Sequence, residues 1–144
     1  MIEIIFVIVI LGILSAVAIP KLNATRDDAY ISKTATAIAA GATDIAGFAV
    51  SSGQIKNDVS KMSNIIAGLI SSNEAKQDDI TIPKVDFKIG NIATCVTMSI
   101  SSGNDANLSI SFGDPLEDTL CQSLQSMFHV SDYPIPLKGD TVIH

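Results

Sequence analysis

The sequence predicts an α+β chain in which one long N-terminal helix carries a small head built on an antiparallel β-sheet. Three observations predict it. Met1 to Ile19 (MIEIIFVIVILGILSAVAI) is an almost unbroken apolar run whose only charge is Glu3. From Ile31 to Ala49 the helical period continues, but the apolar side chains fall on one stripe. Beyond Lys84 the period drops to two, as strands require. Of the 144 residues, roughly 120 follow the apolar run, enough for one globular domain with a modest core. The chain therefore divides into an apolar helix over 1–20 and a head over 21–144 that includes the second half of the long helix.

Nineteen helical residues span about 28 Å at 1.5 Å each, close to the hydrocarbon thickness of a bilayer. A cleaved secretory signal needs a basic start, a shorter apolar core and a small-residue cleavage site, and these are not found in order. A retained membrane anchor is the expectation. Within it Glu3 is the only charge, and a carboxylate at membrane depth costs about 2.5–3.5 kcal/mol. No Lys or Arg precedes Lys21, so its counter-charge must come from a terminus or another molecule. Two readings stand: a charge paired only on assembly, or an acid resting at the headgroup interface. Pro20 removes a helical hydrogen bond and lies eight residues after Gly12, so a kink or locally unwound stretch is expected between them, unless Pro20 merely marks the membrane boundary.

After Pro20 the stripe reads Ile31, Ala35, Ile38, Ala42, Ile45 and Ala49, with Ser32, Lys33, Thr36, Thr43 and Asp44 off it. Its alanines let a sheet approach closely. Gly41 and Gly47 each weaken the helix by about 1 kcal/mol relative to Ala, with no reason visible in the sequence. Ser51-Ser52-Gly53 is a stop signal. A second helix is predicted from a cap at Asn57 or Asp58 to about Ser71, through Val59, Met62, Ile66 and Leu69. Ser72 to Asp79 reads as a polar connection. Val85–Phe87–Ile89, Cys95 to Ile100 and Leu108 to Phe112 read as strands, with Gly90-Asn91 and Ser101 to Asn107 as turns. Leu116, Leu120, Leu124 and Phe128 predict a third helix over 116–128, and the Pro-bearing segment from Tyr133 to His144 a loop or edge strand.

The order of apolar start, Glu3, an Ile/Val/Leu run with Gly12 and Ser15, and then Ala18-Ile19-Pro20-Lys21 resembles the N-terminal helix of type IV pilins. The resemblance covers about the first 25 residues strongly and the rest only in layout. In that family Glu is the fifth mature residue and here it is the third, which suggests that two mature residues precede Met1 or that Met1 is a start assigned too late. The resemblance implies a pilin fold whose first half serves as membrane segment and then filament core. It implies processing by a prepilin peptidase with N-methylation of the new terminus, and Glu3 setting register by neutralising a neighbour's cationic terminus. It also implies loss of helical regularity between Gly12 and Pro20 on packing. The partners implied are further copies in a helical homopolymer, the inner membrane before assembly, and the pilus assembly machinery. The destination is an extracellular filament on a bacterial surface, used in adhesion, motility or attachment. A pseudopilin of a type II secretion system is the alternative, and a monomeric membrane-anchored binding module a third reading.

Cys95 and Cys121 are the only cysteines. Outside the cytoplasm they would oxidise, closing a loop worth about 3 kcal/mol on the chain-entropy model; two buried thiols are the other reading. Pilin heads commonly carry one disulfide near the C-terminal end, so the resemblance favours the bridge and makes Val96 to Leu120 a region for surface contacts. Asn23-Ala24-Thr25 and Asn107-Leu108-Ser109 are N-x-S/T acceptors, and Asp105 before Asn107 makes the second similar to an extended bacterial sequon on a predicted loop. Asn107 is thus a candidate glycosylation site.

The net charge is −6 and the nine Lys/Arg are dispersed, so no electrostatic footprint for nucleic acid is present. With two histidines, no zinc spacing, no phosphate loop and no nucleophile elbow, the sequence gives no basis for an enzyme, a metal or a cofactor. Asp114, Glu117 and Asp118 flank the start of the third helix, where acids complement its dipole; in a pseudopilin that cluster would instead suggest calcium.

Overall fold

A computed structural model describes residues 1–101, 103 and 105–138, except for the side chain of Pro20. Helix α1 (Ile2–Ser52) runs unbroken for 51 residues, about 76 Å. It ends where the sequence places its stop. Gly53 adopts φ 64°, and its N–H closes on the Ala49 carbonyl at 2.9 Å, the left-handed C-terminal cap that glycine forms without a Cβ penalty.

The head packs only on the second half of α1. Every residue from Met1 to Ile19 and from Lys21 to Ala29 is exposed, and burial begins at Tyr30 and Ile31. Ile31, Ala35, Ile38, Ala42, Ile45 and Ala49 are all buried, so the stripe read from the sequence is the core face of the helix. They share one buried core with Val85, Phe87, Met98 and Leu108 from the sheet and Leu124 from the third helix.

The predicted second helix is two pieces. A 3-10 turn (Val59–Lys61) is capped by Asp58, and helix α2 (Asn64–Ser71) is capped by Ser63, whose hydroxyl accepts from the Ile66 N–H. The same hydroxyl donates to Asp44 of α1 at 2.9 Å, which fixes where α2 starts. Gly41 has its reason here: a Cβ on it would stand 2.4 Å from Cδ1 of Ile66, so only glycine lets α2 lie this close. At Gly47 a Cβ meets nothing within 4 Å, and nothing in the structure explains it.

The sheet is an antiparallel meander of five strands in sequence order: β1 (Ala75–Lys76), β2 (Lys84–Ile89), β3 (Ile92–Ile100), β4 (Asn107–Phe112) and β5 (Ile135–Pro136). The three long strands are those the period of two indicates. β1 lies inside the segment read as a polar connection, and β5 takes the edge-strand option for the Pro-bearing tail. Two residues are too few to show a period. Val85 pairs with Met98 and Met98 with Ile110, placing these buried side chains on one face. Thr97, Ser99 and Ser109 alternate with them on the other.

The third helix is shorter than predicted. Helix α3 (Thr119–Ser126) begins after Asp118, whose Oδ1 accepts from the Leu120 and Cys121 N–H groups. Leu116 therefore lies outside it, exposed, with φ 51°. The spacing of four through Leu116 is coincidental.

Candidate functional site

The largest unexplained surface is the stem, the exposed part of α1 before Tyr30. Its apolar stretch has a mean hydropathy of 3.0 and none of it is buried, so the helix is long and apolar enough to cross a membrane. Ile2 is 79% exposed and Ile10 46%. Such a surface has no place in water, and no described residue of the chain covers it.

Glu3 stands at the start of this surface. Its Oε2 lies 3.1 Å from the Met1 amino group, and both groups are open to the surroundings. Further along, α1 stays helical through Gly12 and Pro20. The kink or loss of regularity that the resemblance places between Gly12 and Pro20 belongs to packing among copies, and a single chain does not test it. Pro20 removes only its own donor, the one that would reach the Ala16 carbonyl, and the ladder continues on both sides.

Cys95 of β3 and Cys121 of α3 form a disulfide, and both residues are fully buried. The bridge staples the last helix to the sheet. Beside it the Gln125 side-chain amide donates to the carbonyls of Cys95 (2.9 Å) and Gly113 (2.8 Å). Gly113 passes so close to β3 that a Cβ would fall 1.8 Å from the Thr94 carbonyl oxygen. No family model matches the chain, and neither a curated protein nor a solved structure does.

Asn107 is not on a loop. It opens β4 and pairs with Pro136; its carbonyl accepts from the Ser101 N–H just past the end of β3, and its own N–H donates to the Ser101 hydroxyl, both at 2.9 Å. Ser109, the third residue of its sequon, meets the Ser99 hydroxyl at 3.0 Å. The polar run from Ser101 to Asn107 has the composition of a turn, but the strand begins as soon as Leu108 and Ile110 can enter the core.

The acids that the sequence places at the start of the third helix lie between β4 and α3, and what the sequence missed there is the bend at Leu116. Asp114 Oδ1 accepts from the Leu116 N–H at 2.9 Å and holds the bend that leaves Leu116 exposed. Asp118 also receives the Asn91 N–H at 3.4 Å from the neighbouring β2–β3 turn. There Gly90 has φ 55°, and a Cβ on it would sit 2.6 Å from an Asp118 oxygen. A lone Leu between two acids gives no signal in the sequence until the helix is known to start after it.

Elsewhere the charged groups serve the head. Hydrogen bonds from the Ser60 and Thr81 hydroxyls hold the carboxyls of Asp58 and Asp79 below the usual aspartate range. Burial, then the nearby Asp132, pushes the Tyr133 hydroxyl up. Among the described residues no group of three or more His, Cys, Asp or Glu is placed to hold a metal ion.

Proposed function

We propose that this chain is the structural subunit of a type IV pilus filament, held in the inner membrane by its stem and then polymerised into an extracellular fibre. The observation that carries the reading is the stem itself: an apolar helical surface beginning with one carboxylate and left bare by its own head. In lipid such a surface is satisfied. In a bundle of copies it is satisfied again, since each stem supplies the apolar surroundings of the next.

Glu3 then acts as the register mark. Inside a bundle of stems its charge is tolerable only beside a cation, and the amino terminus of an adjoining copy is the group that supplies one. A copy slipped by one helical turn would leave both charges bare. The head has the complementary role, since its disulfide-stapled sheet tiles the outside and is the part that meets adhesion targets. Processing by a prepilin peptidase and methylation of the terminus belong to the same reading.

Electron cryomicroscopy of filaments sheared from the cell surface tests it. The expected result is long filaments with this chain's stem at their centre. Glu3→Ala is expected to abolish them while the subunit stays in the membrane. A protein confined to the membrane, whose behaviour is indifferent to Glu3→Ala, would overturn the proposal.

A further inference from the structure

The bend before α3 presents three neighbours of unusual kind. Leu116 is 67% exposed and holds φ 51°, a backbone region that costs a bulky side chain free energy, and the exposed Asp114 and Glu117 flank it. An apolar knob kept at a strained position between two acids calls for a surface that is apolar in the middle and cationic at both sides.

The stem carries such a surface. At 100° per residue, Ala18, Leu22, Thr25 and Ala29 share a strip about 60° wide, and Lys21 and Arg26 stand about 40° beyond its two borders. Ala18, Lys21, Leu22 and Thr25 line a shallow, almost wholly apolar depression there. Among the described residues, neither Lys21 nor Arg26 has a carboxylate within ion-pair distance.

The heights agree as well. The Lys88 N–H donates to the Glu74 carbonyl, and the Glu74 carboxylate pairs with Lys33 at 3.0 Å, near the point where α1 leaves the head. That end of the sheet therefore faces the stem. The Asp114–Asp118 bend lies at the same end, tied to Asn91 through Asp118. A displacement of about 16 Å along α1, the helical rise from Leu22 to Lys33, brings the bend of one copy level with the strip of the other.

We propose that in the assembled fibre the bend of one copy seats on the stem of a second copy, Leu116 on the strip around Leu22, with Asp114 and Glu117 opposite Lys21 and Arg26. This rests on the filament reading above. It adds a second grip that does not involve Glu3, and it gives the bend a role that its part in the head does not require.

Charge substitution in the full-length chain tests it, reading the mass of sheared filaments per membrane-resident subunit. Lys21→Glu with Arg26→Glu, and separately Asp114→Asn, which keeps the Oδ1 acceptor for the Leu116 N–H, with Glu117→Lys, should each lower the yield roughly tenfold or more, because attraction across the contact is lost or turned to repulsion. The four substitutions together should raise it again. Leu116→Gly relieves the strained φ, so the head should melt no lower while the filament yield falls. Filaments indifferent to both pairs of substitutions, or a fourfold variant that is not rescued, would overturn the inference and leave the filament reading standing. No filaments from the unaltered chain would remove both.

Discussion

One helix, α1, obeys two different sets of rules along its length. From Tyr30 to Ser52 its buried residues recur every three or four positions and meet the sheet and the other helices. From Met1 to Ile19 its residues are more apolar, yet no described residue of the chain covers them. Backbone geometry is the same in both parts. What differs is the supplier of the apolar surroundings, which is the head in one part and lipid or another copy in the other. Burial within one chain shows as a stripe, whereas burial by an outside partner shows as apolarity on all sides.

Removing the same side chain from each part is the most severe test of this contrast. Ile38→Ala, at a fully buried position, should destabilise the head by about 2–5 kcal/mol in denaturant melts of the detergent-solubilised full chain. Ile10→Ala, on the stem, should leave that melt within about 0.5 kcal/mol. A comparable loss at Ile10 would mean that the stem folds back on the head. Second in size is the disulfide. Cys95→Ser with Cys121→Ser should cost the head about 3 kcal/mol, since the closed loop spans a sequence separation of 26, and the same melts report it.

Two glycines refine the contrast within the packed part. Gly41→Ala gains helix propensity but drives a Cβ into Ile66, so a net loss of about 1–3 kcal/mol is expected. Gly47→Ala meets open space and should stabilise by about 0.5–1 kcal/mol. Reversed signs would show that α2 does not lie on Gly41.

The smallest effect is that of pH. Asp58 and Asp79 titrate below the ordinary aspartate value of about 3.9, so below it the unfolded chain takes up protons that the folded head resists. Their contribution is present above that value and lost as the pH falls through their lowered folded values. Thermal melts should be flat from about pH 7 to 5 and fall below 4, and Asp79→Asn should make that fall shallower.

Local pattern was enough to establish the α+β class, the apolar N-terminal run, the buried stripe of α1, its stop at Gly53, the three long strands and the cysteine pair as a candidate bridge. In each of these many residues point the same way, and a period or a cap is legible without knowing the partner. Contacts across the fold settled the rest. They broke the second helix at Ser63, because Asp44 and Gly41 hold α2 against α1 there. They moved the start of α3 from Leu116 to Thr119, because one Asp118 carboxylate serves both that helix and the adjoining turn. They drew Asn107 from a predicted loop into β4 and made strands of two-residue segments. These outcomes turn on single contacts, which periodicity does not register.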